Sequence, residues 1–159
     1  MPTKPPRRQS GPEPTQDEPP LDQSGLLELV GYNCRRAYLT ILPLFLKRME
    51  KYELRPADYT VITLIRANPN ITQKRLSQAI DVSPPNLATL LDRLETRGLV
   101  VRQRNPADKR SQTLSLTKEG RALCQKADKN AQQLESEATD MLTNEERVEL
   151  LRLLQKIYL

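Results

Sequence analysis

The sequence contains no histidine. That absence removes the commonest general base, the commonest zinc ligand and any Ser-His-Asp arrangement. The two cysteines, Cys34 and Cys124, lie far apart and form no metal-binding or redox pair by spacing. No glycine loop of the kind that cradles a phosphate is present, and no set of carboxylates converges in sequence. The first twenty residues lack the apolar centre of a secretory signal. No apolar run approaches the roughly 18 residues needed to cross a bilayer. A helical enzyme, a metal regulator and a membrane protein are therefore disfavoured. The expectation is a soluble protein of the reducing cytoplasm, with no cofactor and no metal.

What the chain does carry is basic charge in one place. Its 159 residues bear a net charge of +5. Between Thr72 and Gln112, eight Lys and Arg residues stand against four acids. Such a concentration points to a polyanionic partner, with an ordinary solvated surface as the alternative. The length suits one domain with a tail. Residues 1–23 hold seven of the thirteen prolines and almost no large apolar side chain. They are expected to form a disordered tail, because they cannot bury enough surface to offset ordering. Its Lys4, Arg7 and Arg8 are read as passive.

From Gly25 a helical rhythm of apolar residues runs to about Tyr52, with Pro43 expected to bend it. The stretch from Ile41 to Leu46 is apolar nearly all round and calls for cover on both sides, most simply from a second subunit. Pro56 opens a second helix, which Asn68-Pro69-Asn70 stops near Ala67. Thr72 caps a third helix ending near Ile80. Asp81-Val82 is read as a tight turn and Ser83 as the cap of a fourth helix, with Pro84 and Pro85 in its first turn and Gly98 closing it. Two strands follow, 99–104 and 111–116, joined by the polar turn 105–110. Thr117 caps a helix expected to reach about Met141. Thr143-Asn144-Glu145-Glu146 is a capping box that opens the last helix.

The middle of this order is a helix-turn-helix followed by a two-stranded wing. A recognition helix needs one apolar face on its scaffold and a polar end free to enter a major groove. Leu87, Leu90, Leu91 and Leu94 supply the first requirement. Ser83, Asn86, Thr89 and Arg93 can lie opposite. Lys109 and Arg110 at the wing tip suit phosphates or a narrow minor groove.

Residues Leu54 to Gly120 resemble the DNA-binding core of MarR-family regulators. The likeness rests on Thr72-Gln73-Lys74-Arg75-Leu76, on Val82-Ser83-Pro84-Pro85-Asn86-Leu87 and on Leu91 to Val100. It also rests on Asp108-Lys109-Arg110 followed by Leu114-Ser115-Leu116-Thr117-Lys118-Glu119-Gly120. The resemblance implies a mainly α fold: a winged helix-turn-helix over 54–116 between dimerisation helices at 24–53 and 117–159, with a two-stranded β wing. It implies that Thr72 and Gln73 anchor phosphates, and that Ser83, Pro84, Asn86 and Thr89 face the groove. Arg110 would enter the minor groove, oriented by Asp108, with Lys109 beside it. Thr89 stands where relatives often carry a larger basic residue, which leaves the operator sequence open and implies fewer guanine contacts. The implied partners are a second copy of the chain, a pseudo-palindromic double-stranded operator and a small, aromatic or anionic effector that relieves repression. A ligand-independent architectural DNA-binding protein is the alternative.

Other residues carry two readings. Arg93 either contacts phosphate or pairs with Asp92 or Glu95. Arg97 is read as an electrostatic cap on the fourth helix. Arg102 and Arg104 leave one face of a strand, and at least one is expected to face DNA. Cys34 is expected to be buried and inert and Cys124 to lie in the core. Tyr32, Arg36, Leu39 and Thr40 on the first helix, with Tyr59 and Ile62 on the second, either line an effector pocket or simply pack.

Overall fold

The computed structural model of the protein describes residues 21–105 and 111–159. The chain divides between Arg36 and Ala37 into two compact units. The first holds α1 (Ser24–Leu27) and the beginning of α2 (Val30–Met49). The second holds the rest of α2, a 3-10 turn (Glu50–Tyr52), α3 (Pro56–Ala67), β1 (Ile71–Thr72), α4 (Gln73–Ala79) and α5 (Pro84–Thr96). It continues through β2 (Val100–Arg104), β3 (Gln112–Leu116), α6 (Lys118–Ala138) and α7 (Asn144–Tyr158). The result is the expected mainly α winged helix.

The first helix is not the continuous rod expected over 25–52. It breaks at Glu28 and Leu29, because the Asn33 side-chain amide donates to the carbonyls of both Leu27 and Leu29 at 2.8 Å and offers the backbone an alternative to the next helical turn. Pro43 sits inside α2 without ending it. Cys34 is exposed in the single chain, not buried as expected. Every residue from Asn33 to Thr40 is exposed.

One apolar core lies in the second unit. The buried faces of α3 (Val61, Ile62, Ile65), α4 (Leu76) and α5 (Leu87, Leu91, Leu94) meet Leu114 of β3 and Cys124 of α6. Each large side chain so buried contributes about 1.5–3 kcal/mol. The wing is a three-stranded antiparallel sheet in the order β1-β3-β2, not the two-stranded one expected. Ile71 pairs with Leu114 and Thr72 with Thr113. Asn70, at φ 64°, turns the chain so that its own N–H reaches the Leu114 carbonyl at 3.1 Å. A strand of two residues leaves no periodic trace in a sequence.

Capping follows the sequence at most ends. The Thr72, Thr117 and Thr143 hydroxyls accept from the backbone N–H of Arg75, Gly120 and Glu146. Gly98 takes the left-handed conformation at φ 65°. Ser83 occupies its N-cap position without a side-chain cap bond. With prolines at the next two positions, one of the two amides that such a cap serves, that of Pro85, does not exist. The last helix, α7, has no buried residue, and Val148, Leu151, Leu153 and Ile157 are all exposed. No helix among the described residues is long and apolar enough to cross a membrane.

Candidate nucleic-acid interface

The angle between α4 and α5 is set by a short turn. Asp81 adopts φ 50°. Ser77, buried in α4, holds both sides of the peptide at Val82. Its carbonyl accepts from the Val82 N–H at 3.2 Å and its hydroxyl donates to the Val82 carbonyl at 2.6 Å. Sequence reasoning missed Ser77, since a serine in mid-helix carries no signal of its partner.

Helix α5 then presents two faces. Leu87, Leu90, Leu91 and Leu94 are buried, while Ser83, Pro84, Pro85, Asn86 and Thr89 are exposed. Thr89 donates its hydroxyl proton to the Pro85 carbonyl at 3.2 Å. Three arginines near this helix are held by the protein itself. Arg93 pairs with Asp58, a carboxylate only 1 % exposed that also accepts the Arg55 N–H at 3.0 Å. The partner is thus neither Asp92 nor Glu95, because α3 brings Asp58 beneath the helix. Arg97 occupies the C-cap position of α5. Its guanidinium reaches the carbonyls of Glu53 and Tyr52 at 2.7 and 2.8 Å, closing the end of the 3-10 turn. Arg102 pairs with Glu95 at 2.9 Å and Asp92 at 2.6 Å and donates to the Ala88 carbonyl at 3.3 Å, which roots β2 on α5.

Arg104 is different. It is exposed, and no carboxylate is recorded beside it among the described residues. Together with Thr72, Gln73, Lys74 and Pro84 it lines an open groove of about 980 Å³ between α4, the start of α5 and the wing. Four of the residues picked out for DNA contact thus share one concavity, with Asn86 and Thr89 on the adjoining helix. Lys74 joins them, and only the basic count of the segment had hinted at it. Asp108, Lys109 and Arg110 lie outside the described residues.

Each candidate for effector binding has its own surroundings among the described residues. Tyr32 is half-buried, and its hydroxyl donates to Gln23 Oε1 at 2.9 Å. Arg36, Leu39 and Thr40 are exposed. Ile62 is fully buried in the core, where its apolar side chain belongs to the packing of α3. Tyr59 donates to Asp128 Oδ1 at 3.0 Å, and Asp128 also pairs with Arg66, so the three tie α3 to α6. Burial, then the hydrogen bond to Asp128, pushes the Tyr59 phenol up to about 12. Cys124 lies in the core as expected, with its thiol raised by burial. A second concavity, of about 680 Å³, lies on the other side of α5 and is lined by Lys47, Glu50, Arg55, Asp58, Arg93 and Arg97 among others.

Comparison with known proteins agrees with this architecture. A sequence model of the MarR family matches residues 54–112. The transcriptional regulator HosA of Escherichia coli O111:H- is 33 % identical over 105 residues, covering 66 % of this chain and 78 % of HosA. The transcriptional repressor CouR, solved on a 23-mer DNA duplex, superposes with a TM-score of 0.82 at 38 % identity, covering 87 % of this chain and 99 % of CouR. CouR bound to p-coumaroyl-CoA gives 0.76 at 37 %, covering 87 % and 97 %. Wild-type MarR from E. coli gives 0.71 at 30 %, covering 82 % and 98 %. Core, wing and flanking helices all match, and the chain therefore belongs to the MarR family: it is a transcriptional regulator and not an enzyme.

Proposed function

We propose that the protein is a homodimeric, sequence-specific repressor of the cytoplasm, released from its operator by a small aromatic or anionic effector. The observation that carries the reading is the pairing of α5, polar and exposed at its N-terminal end, with the basic groove beside it. Asn86 and Thr89 would enter a major groove. Thr72, Gln73 and Lys74 would hold phosphates, Arg104 would face the DNA from the wing, and Arg110, with Lys109 and Asp108, would reach the adjacent minor groove. The 23-mer duplex bound to CouR supports a target of two half-sites.

Dimerisation is favoured by the exposed apolar face of α7, which in isolation would be a marginal helix in water. A twofold axis would place two copies of α5 about one helical turn of DNA apart. An effector that binds better to a dimer of different spacing shifts the population away from the operator. The p-coumaroyl-CoA complex of CouR supports an aromatic, anionic ligand class. Tyr32, Arg36, Leu39, Thr40, Tyr59 and Ile62 are the residues proposed for the effector. Genome-wide mapping of bound sites tests the first half of the proposal. The effector is tested on a mapped site with p-coumaroyl-CoA and a panel of aromatic carboxylates. Thermal stabilisation together with release from DNA is the expected result. Stabilisation without release, across the panel, would favour a ligand-independent DNA-binding protein.

A further inference from the structure

We propose that α5 reads A·T pairs, with Asn86 and Thr89 as the specificity-determining residues and no guanine contact from this helix. The inference rests on the sequence-specific binding proposed above and adds what sequence is bound. Guanine is read in the major groove chiefly by Arg or Lys, bidentate to O6 and N7. Helix α5 has one cation, Arg93 in its last turn, and Asp58 holds it. Swinging Arg93 into a groove would strand a carboxylate that is 1 % exposed, a loss a base contact does not repay. Arg97 and Arg102, the next cations along, are held as well, Arg97 by two carbonyls and Arg102 by two carboxylates and a carbonyl.

What α5 offers is neutral. Pro84 and Pro85 have no N–H, so the first turn is poor at gripping a backbone phosphate and is free to sit against base edges. Asn86 is exposed, and its amide has no hydrogen-bond partner among the described residues. A free carboxamide matches adenine, accepting from N6 and donating to N7. Thr89 has committed its hydroxyl proton to the Pro85 carbonyl. What remains is a methyl group, suited to the thymine methyl, and an acceptor. Three residues of helix rise about 4.5 Å. That is on the order of one base-pair step, ~3.4 Å. Asn86 and Thr89 therefore address neighbouring pairs, an adenine beside a thymine. Guanine contacts, where the operator has them, fall to the exposed Arg104 and the wing.

The experiment is a selection by the full-length protein from a duplex library randomised across two successive major grooves. It is repeated with Asn86→Ala and with Thr89→Ser, both exposed positions whose folding is checked by urea unfolding. The wild-type pool should enrich twofold-related half-sites containing the adjacent adenine and thymine. Asn86→Ala should lose the adenine preference at one position by about tenfold. Uracil in place of the neighbouring thymine should weaken the wild type and leave Thr89→Ser unchanged, a readout that needs no fold control. Enriched G·C pairs at those steps, or variant pools identical to the wild-type pool, would overturn the assignment while leaving sequence-specific binding intact. A uniform loss of affinity in Asn86→Ala without a change of preference would make Asn86 a phosphate contact and overturn it equally. A wild-type pool with no enriched motif would overturn both.

Discussion

At the scale of single residues, the buried carboxylate of Asp58 decides what α5 can do. Removing its partner leaves a charge in the core, and breaking such a pair typically costs several kcal/mol. Arg93→Met should therefore lower unfolding free energy by about 3 kcal/mol, read from the urea midpoint. Adding Asp58→Asn should recover part of the loss. If Arg93→Met proves neutral, the pair is a surface contact and the argument for its captivity fails. Tyr59 gives a pH signature. Its phenol titrates near 10 in an unfolded chain and at about 12 here. A raised value means that the protonated form is favoured by folding. The contribution is whole below pH 10 and disappears as pH climbs from there toward 12. The stability difference between wild type and Tyr59→Phe should accordingly shrink across that window. A difference that stays constant there would show that burial and the Asp128 bond do not hold the phenol protonated. None of these pairs was legible in the sequence. Asp58 and Arg93 are 35 residues apart, Tyr59 and Asp128 69 apart, and only the packing of α3 under α5 and beside α6 joins them.

At the scale of elements, caps and turns were readable because their chemistry is local. Thr72, Thr117, the Thr143 box and Gly98 all work within a few residues of themselves. The misses share the opposite property. Asn33 breaks the first helix by reaching back to carbonyls. Ile71 and Thr72 become a strand only because β3 lies beside them. Arg97 leaves its own helix for the turn before α3. The junction of α6 with the wing is the most constrained of these joints. A methyl group added at Gly120 would stand 2.0 Å from the Leu99 carbonyl oxygen, and that obstacle is backbone. Gly120→Ala should destabilise by about 3 kcal/mol or more, seen as a lower thermal midpoint. A variant as stable as the wild type would mean that α6 can slide away from the strand at little cost.

At the scale of the whole molecule, the uncovered side of α7 is the feature that a single copy does not explain. Val148, Leu151 and Ile157 are each more than half exposed. Placing charge there is harmless on a free surface and costly in an apolar seam. The double variant Leu151→Asp with Leu154→Asp should sediment as a monomer at micromolar concentration, where the wild type sediments as a dimer. It should also lose most operator affinity, since two half-sites are then bound separately. A dimer that survives the double change would put the seam elsewhere. The expectation of a second copy comes from the first helix, which is apolar on nearly all sides between Ile41 and Leu46. Its geometry is not visible there, because symmetry between chains leaves no mark on one chain's periodicity.

The internal commitment of Arg93, Arg97 and Arg102 has an evolutionary corollary. Residues that hold the reading head in place are distinct from those proposed to meet the DNA, so on that reading the address can be rewritten without touching the chassis. Duplicated copies of such a gene could drift to new operators through Asn86, Thr89 and Arg104 while every ion pair beneath them stayed fixed. Laboratory reprogramming of target choice should begin at the same three positions.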